Sequence, residues 1–227
     1  MPSRRWRRGP QALLFLLPAG ALLFLFVFLP TVRALVLGGH DASLLAPEEA
    51  EWVGLDNYSD LVRNPRFRHA FRNTALFALM VVPVQTVAAL FLALWVNRPE
   101  RYWRWMRVAF FLPVVISMPV LAVLWSMLYQ PARGDEMGLI NAMISTIGLP
   151  PQAWLQNPHL ALPAIAGMSI WQGVGFQMMI FLAGLQHVSQ EQIESSLIDG
   201  AGPAARLWFI ILPAIRNSVI FAVIVTT

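Results

Sequence analysis

Long apolar runs, separated by short segments that carry arginines, constrain this chain more than any other feature. One run extends from Leu13 to Leu29, a second from Thr74 to Val96, a third from about Val108 to Tyr129 and a fourth from about Leu160 to Leu185. A helix of about twenty apolar residues crosses the hydrocarbon of a bilayer, and every backbone polar group there has to be satisfied within the segment. The runs therefore predict an all-α integral membrane protein. Composition agrees, since 57% of the 227 residues are hydrophobic and only 12% are charged, too little charge for the surface of a soluble domain. There are no cysteines, which excludes disulfides and thiolate metal sites.

The distribution of basic residues gives the sides. Arg4, Arg5, Arg7 and Arg8 precede the first run, and Arg98, Arg101, Arg104 and Arg107 follow the second. Cytoplasmic flanks carry such excess, so residues 1–32 are predicted to be a basic cytoplasmic N-terminus followed by the first span. A cleaved secretory signal is the alternative, but the run is long and lacks a small-x-small cleavage site. A nucleic-acid patch is the other reading of the arginines; directly before a span they fix orientation instead, and no nucleic acid is expected as a partner. Residues 33–72, of mixed charge, are then an external loop. Residues 73–227 form the core, with spans at about 74–96, 108–129 and 160–185. Trp103 and Trp105 fit an interfacial aromatic belt, and Pro113 and Pro119 are expected to kink the third span. Gln130 to Pro158 contains only Arg133 as a basic residue and reads as a second external loop, with a short amphipathic helix from Leu139 to Ile147. The last apolar run, a partial fifth span from about residue 209, is shorter after Asn217 than a crossing requires. The chain is expected to stop within it.

Counting sides from a cytoplasmic N-terminus returns residues 189–213 to the cytoplasm. Ser189 and Gln192 have the spacing of a capping box, so a helix is predicted to start there. Asp199, Gly200, Ala201 and Gly202 should end it, because glycine accepts positive φ, and Pro203 suits the first turn of a second helix running towards Pro213. Asp199 is expected to cap that second helix, and Glu194 to lie on an exposed face.

Glu194, the small pair Ser195 and Ser196, Gly200, and then Ile210, Leu212 and Pro213 fall at the offsets of the cytoplasmic Glu-Ala-Ala signature, which ends in Ile-x-Leu-Pro. In this the chain resembles the permease subunits of binding-protein-dependent ABC importers. The two serines replace alanines, and Gly202-Pro203 varies the turn. WVGLDNY (Trp52 to Tyr58), NPRF (Asn64 to Phe67), GLIN (Gly138 to Asn141) and WLQNP (Trp154 to Pro158) resemble the carbohydrate branch, which includes maltose and glycerol-3-phosphate importer permeases.

The resemblance implies a polytopic helical permease of the type I importer kind, C-terminally incomplete here. It implies residence in the bacterial cytoplasmic membrane among its lipids. It also implies a coupling hairpin, formed by Glu194, Ser195, Ser196, Asp199, Gly200, Ala201, Ile210, Leu212 and Pro213, that docks on an ATP-binding cassette ATPase dimer. A second permease subunit and an extracytoplasmic solute-binding protein complete the implied assembly. The sequence is consistent with a non-catalytic role: all sixteen basic residues are arginine, and a phosphate-binding P-loop needs a lysine, so ATP hydrolysis belongs to a separate subunit.

Polar residues inside a span are functional candidates by default. Gln85, Gln172 and Gln177, with Trp171, are candidate contacts on a substrate path, since amides and indole bond to and stack on sugars; interhelical bonding is the competing reading. A membrane-embedded enzyme or an ion-coupled secondary transporter would need acids, bases or metal ligands within the spans. The four histidines lie in loops or at span ends and the acids outside the spans, so no catalytic residue, metal or cofactor is expected. A sugar or oligosaccharide is the expected cargo, with glycerol-3-phosphate or another small polar solute as the alternative.

Overall fold

A computed structural model describes residues 9–43, 46–134 and 136–226. Arg4, Arg5, Arg7 and Arg8 lie outside the described residues, as does Thr227. The chain divides into two compact units, residues 1–71 and 72–227.

In the first unit α1 (Gly9–Leu23) runs through a π-helical stretch (Phe24–Phe28) into α2 (Leu29–Leu37). Leu14–Leu37 is apolar and long enough to cross a membrane. The helix thus continues eight residues beyond the predicted run, and brings Arg33, expected in the loop, into its final turns. The π stretch has a local cause. Pro30 offers no N–H to the carbonyl four residues back and its ring crowds that carbonyl, and the wider turn around Phe26 relieves both. Beyond Gly38 and Gly39, β1 (His40–Ser43) pairs antiparallel with β2 (Ala46–Trp52), setting His40 opposite Trp52. The Asn57 side chain on α3 (Asp56–Arg63) donates to the carbonyls of Gly38 (3.1 Å) and His40 (2.9 Å), tying the end of the span to the WVGLDNY segment. Asn64 Oδ1 accepts from the Arg66 amide at 2.9 Å and Pro65 fills the first turn, so α4 (Pro65–Val96) starts nine residues ahead of the predicted span.

In the second unit Val81, Gln85, Ala89 and Ala93 form a buried stripe on α4 at a spacing of four residues. Two alanines let neighbours come close, and the core gathers Val96, Met178, Phe181, Leu182, Leu185, Ile215 and Ala222 around them. α8 (Ala161–Leu185) supplies most of these. At Gly175 a Cβ would stand 1.9 Å from the Phe110 carbonyl oxygen, so this glycine sets how closely α8 crosses α5 (Arg101–Val115). The link from α4 to α5 is held by Arg107. Its Nη2 donates to the carbonyls of Val96 (2.8 Å) and Arg98 (2.7 Å) and its Nε to Val96 (3.1 Å), clasping the turn that follows α4.

The third apolar run is not one kinked helix. α5 and α6 (Met118–Leu128) meet at 99°, with Ile116 and Ser117 extended between them at ψ 130° and 143°. Pro119 lies in the first turn of α6, where its missing N–H costs nothing, and so it begins a helix instead of bending one. The following loop holds α7 (Leu139–Thr146), as the amphipathic pattern predicts. Fully buried Asn141 on α7 donates to the carbonyls of Gln130 (2.8 Å) and Gln152 (3.0 Å) and accepts from the Gln152 amide and the Trp154 indole, both at 2.9 Å. Among the described residues three helices are long and apolar enough to span a bilayer, or up to five if each bent pair counts as one.

Candidate functional site

After α8 the chain turns into α9 (Gln190–Ile198), with Ser189 at the N-cap as the sequence predicts. The reciprocal side-chain bonds of a capping box are not made there. α9 ends in a Schellman motif: the Gly200 amide donates to Leu197 O (3.1 Å) and the Ala201 amide to Ser196 O (2.8 Å), with Gly200 at φ +77°. The turn glycine therefore has the left-handed conformation expected of it. Asp199 does not cap the second helix. It is the C-cap of α9, while Gly202 takes the N-cap of α10 (Pro203–Arg206), with no side-chain bond. The physical reason is reach: the Schellman turn inserts Gly200 and Ala201 between the carboxylate and the amides it was expected to meet.

From α10 the helix continues through a π-helical stretch (Leu207–Ile211) into α11 (Leu212–Ala214), passing Pro213. As at Pro30, the carbonyl four residues before this proline, that of Phe209, lies in the wider turns. A bend of 73° at buried Ile215 then separates Pro203–Ala214 from α12 (Arg216–Thr226).

The two arms present two unlike recesses. One, of about 680 Å³, is lined on α9 by Glu191, Gln192, Ser195, Ser196 and Asp199, and on the second arm by Phe209, Ile210 and Pro213. Its polar lining and two carboxylates make it a recess for a partner with hydrogen-bond donors. The other, of about 420 Å³, is apolar and includes Leu94 of α4, Ile193 and Ile211. Glu194 is exposed, as expected, and Ser196 is buried, its hydroxyl donating to Ile193 O at 2.6 Å. Ala201, Ile210 and Leu212 are half-buried.

The intramembrane candidates divide. Gln85 is buried against α8, with its amide packed over Gly173. One helical turn further along α8, Gln177 Nε2 donates to Ala222 O at 3.1 Å and to the Thr226 hydroxyl, joining α8 to α12. Its Oε1 is buried without a partner. Gln172 is half-buried. Trp171 faces elsewhere: it packs edge-on against Trp125 of α6 at 5.7 Å between ring centroids, and the rings continue through Tyr129 to Trp154 at 5.2 and 5.8 Å. Sequence reasoning did not single out Trp125 or Thr86, whose indole N–H and hydroxyl are buried and unpartnered. A single tryptophan or threonine in an apolar run carries no signal; only its neighbours give it one. Among the described residues no group of three or more His, Cys, Asp or Glu could hold a metal.

The family described as binding-protein-dependent transport system inner membrane component matches residues 61–227. The chain is 35% identical over 217 residues to "Probable ABC transporter permease protein YurN" of Bacillus subtilis, covering 94% of this chain and 72% of that protein. It is 30% identical to the "Sulfoquinovosyl glycerol transport system permease protein SmoG" of Agrobacterium fabrum, covering 95% of this chain and 69% of that one. Among solved structures, a chain of a bacterial alginate ABC transporter, in complex with an alginate pentasaccharide-bound periplasmic protein, superposes with a TM-score of 0.79 at 23% identity, over 99% of this chain and 74% of its own.

Proposed function

This chain belongs to the inner membrane components of binding-protein-dependent transport systems, and from that premise we propose that it passes a sugar or oligosaccharide through the membrane, received from an extracytoplasmic binding protein. The observation that carries the reading is the hairpin of α9 and its glycine turn. It falls within the matched residues, and its polar recess offers hydrogen-bond acceptors to a docking ATPase. A dimer of ATPase subunits grips this hairpin and the equivalent element of a second permease subunit. Closing and opening of that dimer rocks the permease halves, so that a path between them faces the two sides in turn. The N-terminus lies in the cytoplasm, and α7 with its Asn141-centred loop faces outside.

The sugar reading is supported by relatives named for sulfoquinovosyl glycerol and alpha-glucoside transport. Gln85, Trp171, Gln172 and Gln177 are the proposed polar contacts nearest the path. Gln177 makes the interhelical bond that the competing reading required, so Trp171, exposed on one side, is the strongest of the four. Uptake of a panel of labelled sugars by a strain lacking this gene, with and without the gene restored, tests the cargo. Restored uptake of one or more saccharides is expected, and restoration of glycerol-3-phosphate uptake alone would transfer the reading to that alternative. The purified chain by itself is expected to hydrolyse no ATP, and measurable turnover would refute the division of labour.

A further inference from the structure

At the apolar recess of the hairpin one nitrogen of a half-buried arginine is enclosed with nothing to meet it. Arg206, at the end of α10, lines the cavity of about 420 Å³ together with Leu94, Ile193, Leu207, Ile210 and Ile211. Its Nε is buried without a hydrogen-bond partner, and no other bond or ion pair reaches its side chain among the described residues. A buried guanidinium donor left unpaired is costly. Of the hairpin's three carboxylates, Glu191 and Asp199 line the other recess, to which Arg206 does not contribute, and exposed Glu194 lines neither. The recess is therefore complementary to a ligand with an anionic head and a hydrocarbon body.

Position decides which ligand. Leu94 stands in the last turn of α4, directly before the segment carrying Arg98, Arg101 and Arg104, where the helix leaves the apolar region. A cavity at that depth opens where phospholipid phosphates lie, and in the cytoplasmic leaflet anionic headgroups are drawn to such arginines. We infer that this cavity seats an anionic phospholipid, with its phosphate on the Arg206 guanidinium and an acyl segment against Leu94, Leu207 and Ile211. The fork of a guanidinium matches phosphate oxygens two at a time. The inference rests on the proposed placement of the hairpin at the cytoplasmic surface. It gives the hairpin a second contact, with lipid, in the recess that Arg206 lines and the carboxylates do not.

The test uses the transporter assembled with its partner subunits, given equal amounts of phosphatidylglycerol and phosphatidylcholine, with retained lipid read by native mass spectrometry. The wild type should retain phosphatidylglycerol over phosphatidylcholine by about tenfold, the worth of one charge-assisted bond. Arg206→Gln should abolish the preference, and Leu94→Trp, which keeps the charge and fills the cavity, should lower retention of phosphatidylglycerol. The inference is overturned by a wild type without preference, by an Arg206→Gln protein that selects as before, or by displacement of the lipid with millimolar inorganic phosphate, which would assign the site to a free anion. It is also overturned if Arg206→Gln releases the ATPase while leaving lipid selection intact, since the guanidinium would then serve a partner carboxylate. Lipid retention and ATPase association are separate readouts. A hairpin that selects phosphatidylglycerol but does not hold the ATPase would sink the coupling role and support the lipid site.

Discussion

Substitution of Gly200 separates two reasons why a glycine stands at the hairpin turn. Its φ of +77° is costly for residues with a side chain, and a Cβ built there meets nothing within 4 Å. Within this chain the cost is therefore conformational and not steric. Alanine should pay about 1–2 kcal/mol for the left-handed backbone. Valine, stiff at χ1, should approach the upper end of the roughly 1–3 kcal/mol attached to strained positions. Asparagine, which tolerates this region, should pay the least. If the turn must be formed for the ATPase to dock, 1–2 kcal/mol corresponds to a loss of about 5–30-fold in association. Co-purification of the ATPase with membranes holding equal amounts of each variant, alongside transport, gives the ranking: Asn weakest in effect, then Ala, then Val. Equal and severe loss for all three would refute the conformational account and mean that the partner's surface touches the glycine. Full association and transport by Gly200→Val would refute the coupling role itself.

Asp199→Ala should change hairpin stability by less than about 0.5 kcal/mol, because the carboxylate makes no cap and lies at a helix C-terminus where negative charge is unfavourable; a marked loss in thermal stability would contradict this. Gly175→Ala should cost about 3 kcal/mol or more and cut the yield of folded protein, since the new methyl would meet the Phe110 backbone oxygen at 1.9 Å, a backbone atom and not the end of a flexible side chain; normal melting behaviour would refute the crossing. Asn141→Ala, which removes four hydrogen bonds in a fully buried position, should lower the melting temperature by several degrees and expose the loop to added protease, and unchanged proteolysis would count against its organising role. Reporter fusions at Arg104 and Gly134 should report cytoplasm and exterior, and the reverse pattern would overturn the topology.

The hairpin was legible because its turn is written in local chemistry. Gly200 permits a backbone few residues adopt, Pro203 suits a first turn, and both act within a few residues of themselves. The same locality placed α7 and the N-cap at Ser189. Where the reading went astray, the deciding contact was further off or the rule cut both ways. A proline in an apolar run predicts a kink, yet Pro119 begins a helix because two extended residues precede it, and nothing in the run distinguishes the two cases. The first span is longer than its apolar run since Arg33 is accommodated near a helix end, and α4 starts early because Asn64 and Pro65 open it. Asp199 precedes the second helix closely enough to predict a cap, yet the geometry of one turn makes it the end of the first. The intramembrane glutamines were visible as unusual, but that Gln177 reaches Ala222 depends on a pairing of α8 with α12 that no spacing along the chain encodes.

The bend at Ile215 has a mechanical consequence. Pro203–Ala214 is a rod of twelve residues, about 18 Å long at 1.5 Å per residue, and it ends on a side chain that is 1% exposed and wedged in the core. A rod anchored at one end converts angle into travel, so a tilt of 10° about that wedge sweeps its free tip through about 3 Å on the same helical dimensions. The direction matters as much as the distance. Because α12 leaves the wedge at 73° to the rod, a displacement across the hairpin arrives at α12 largely as a twist about its own axis, and Gln177, bonded to Ala222, would feel it as rotation before it felt any push.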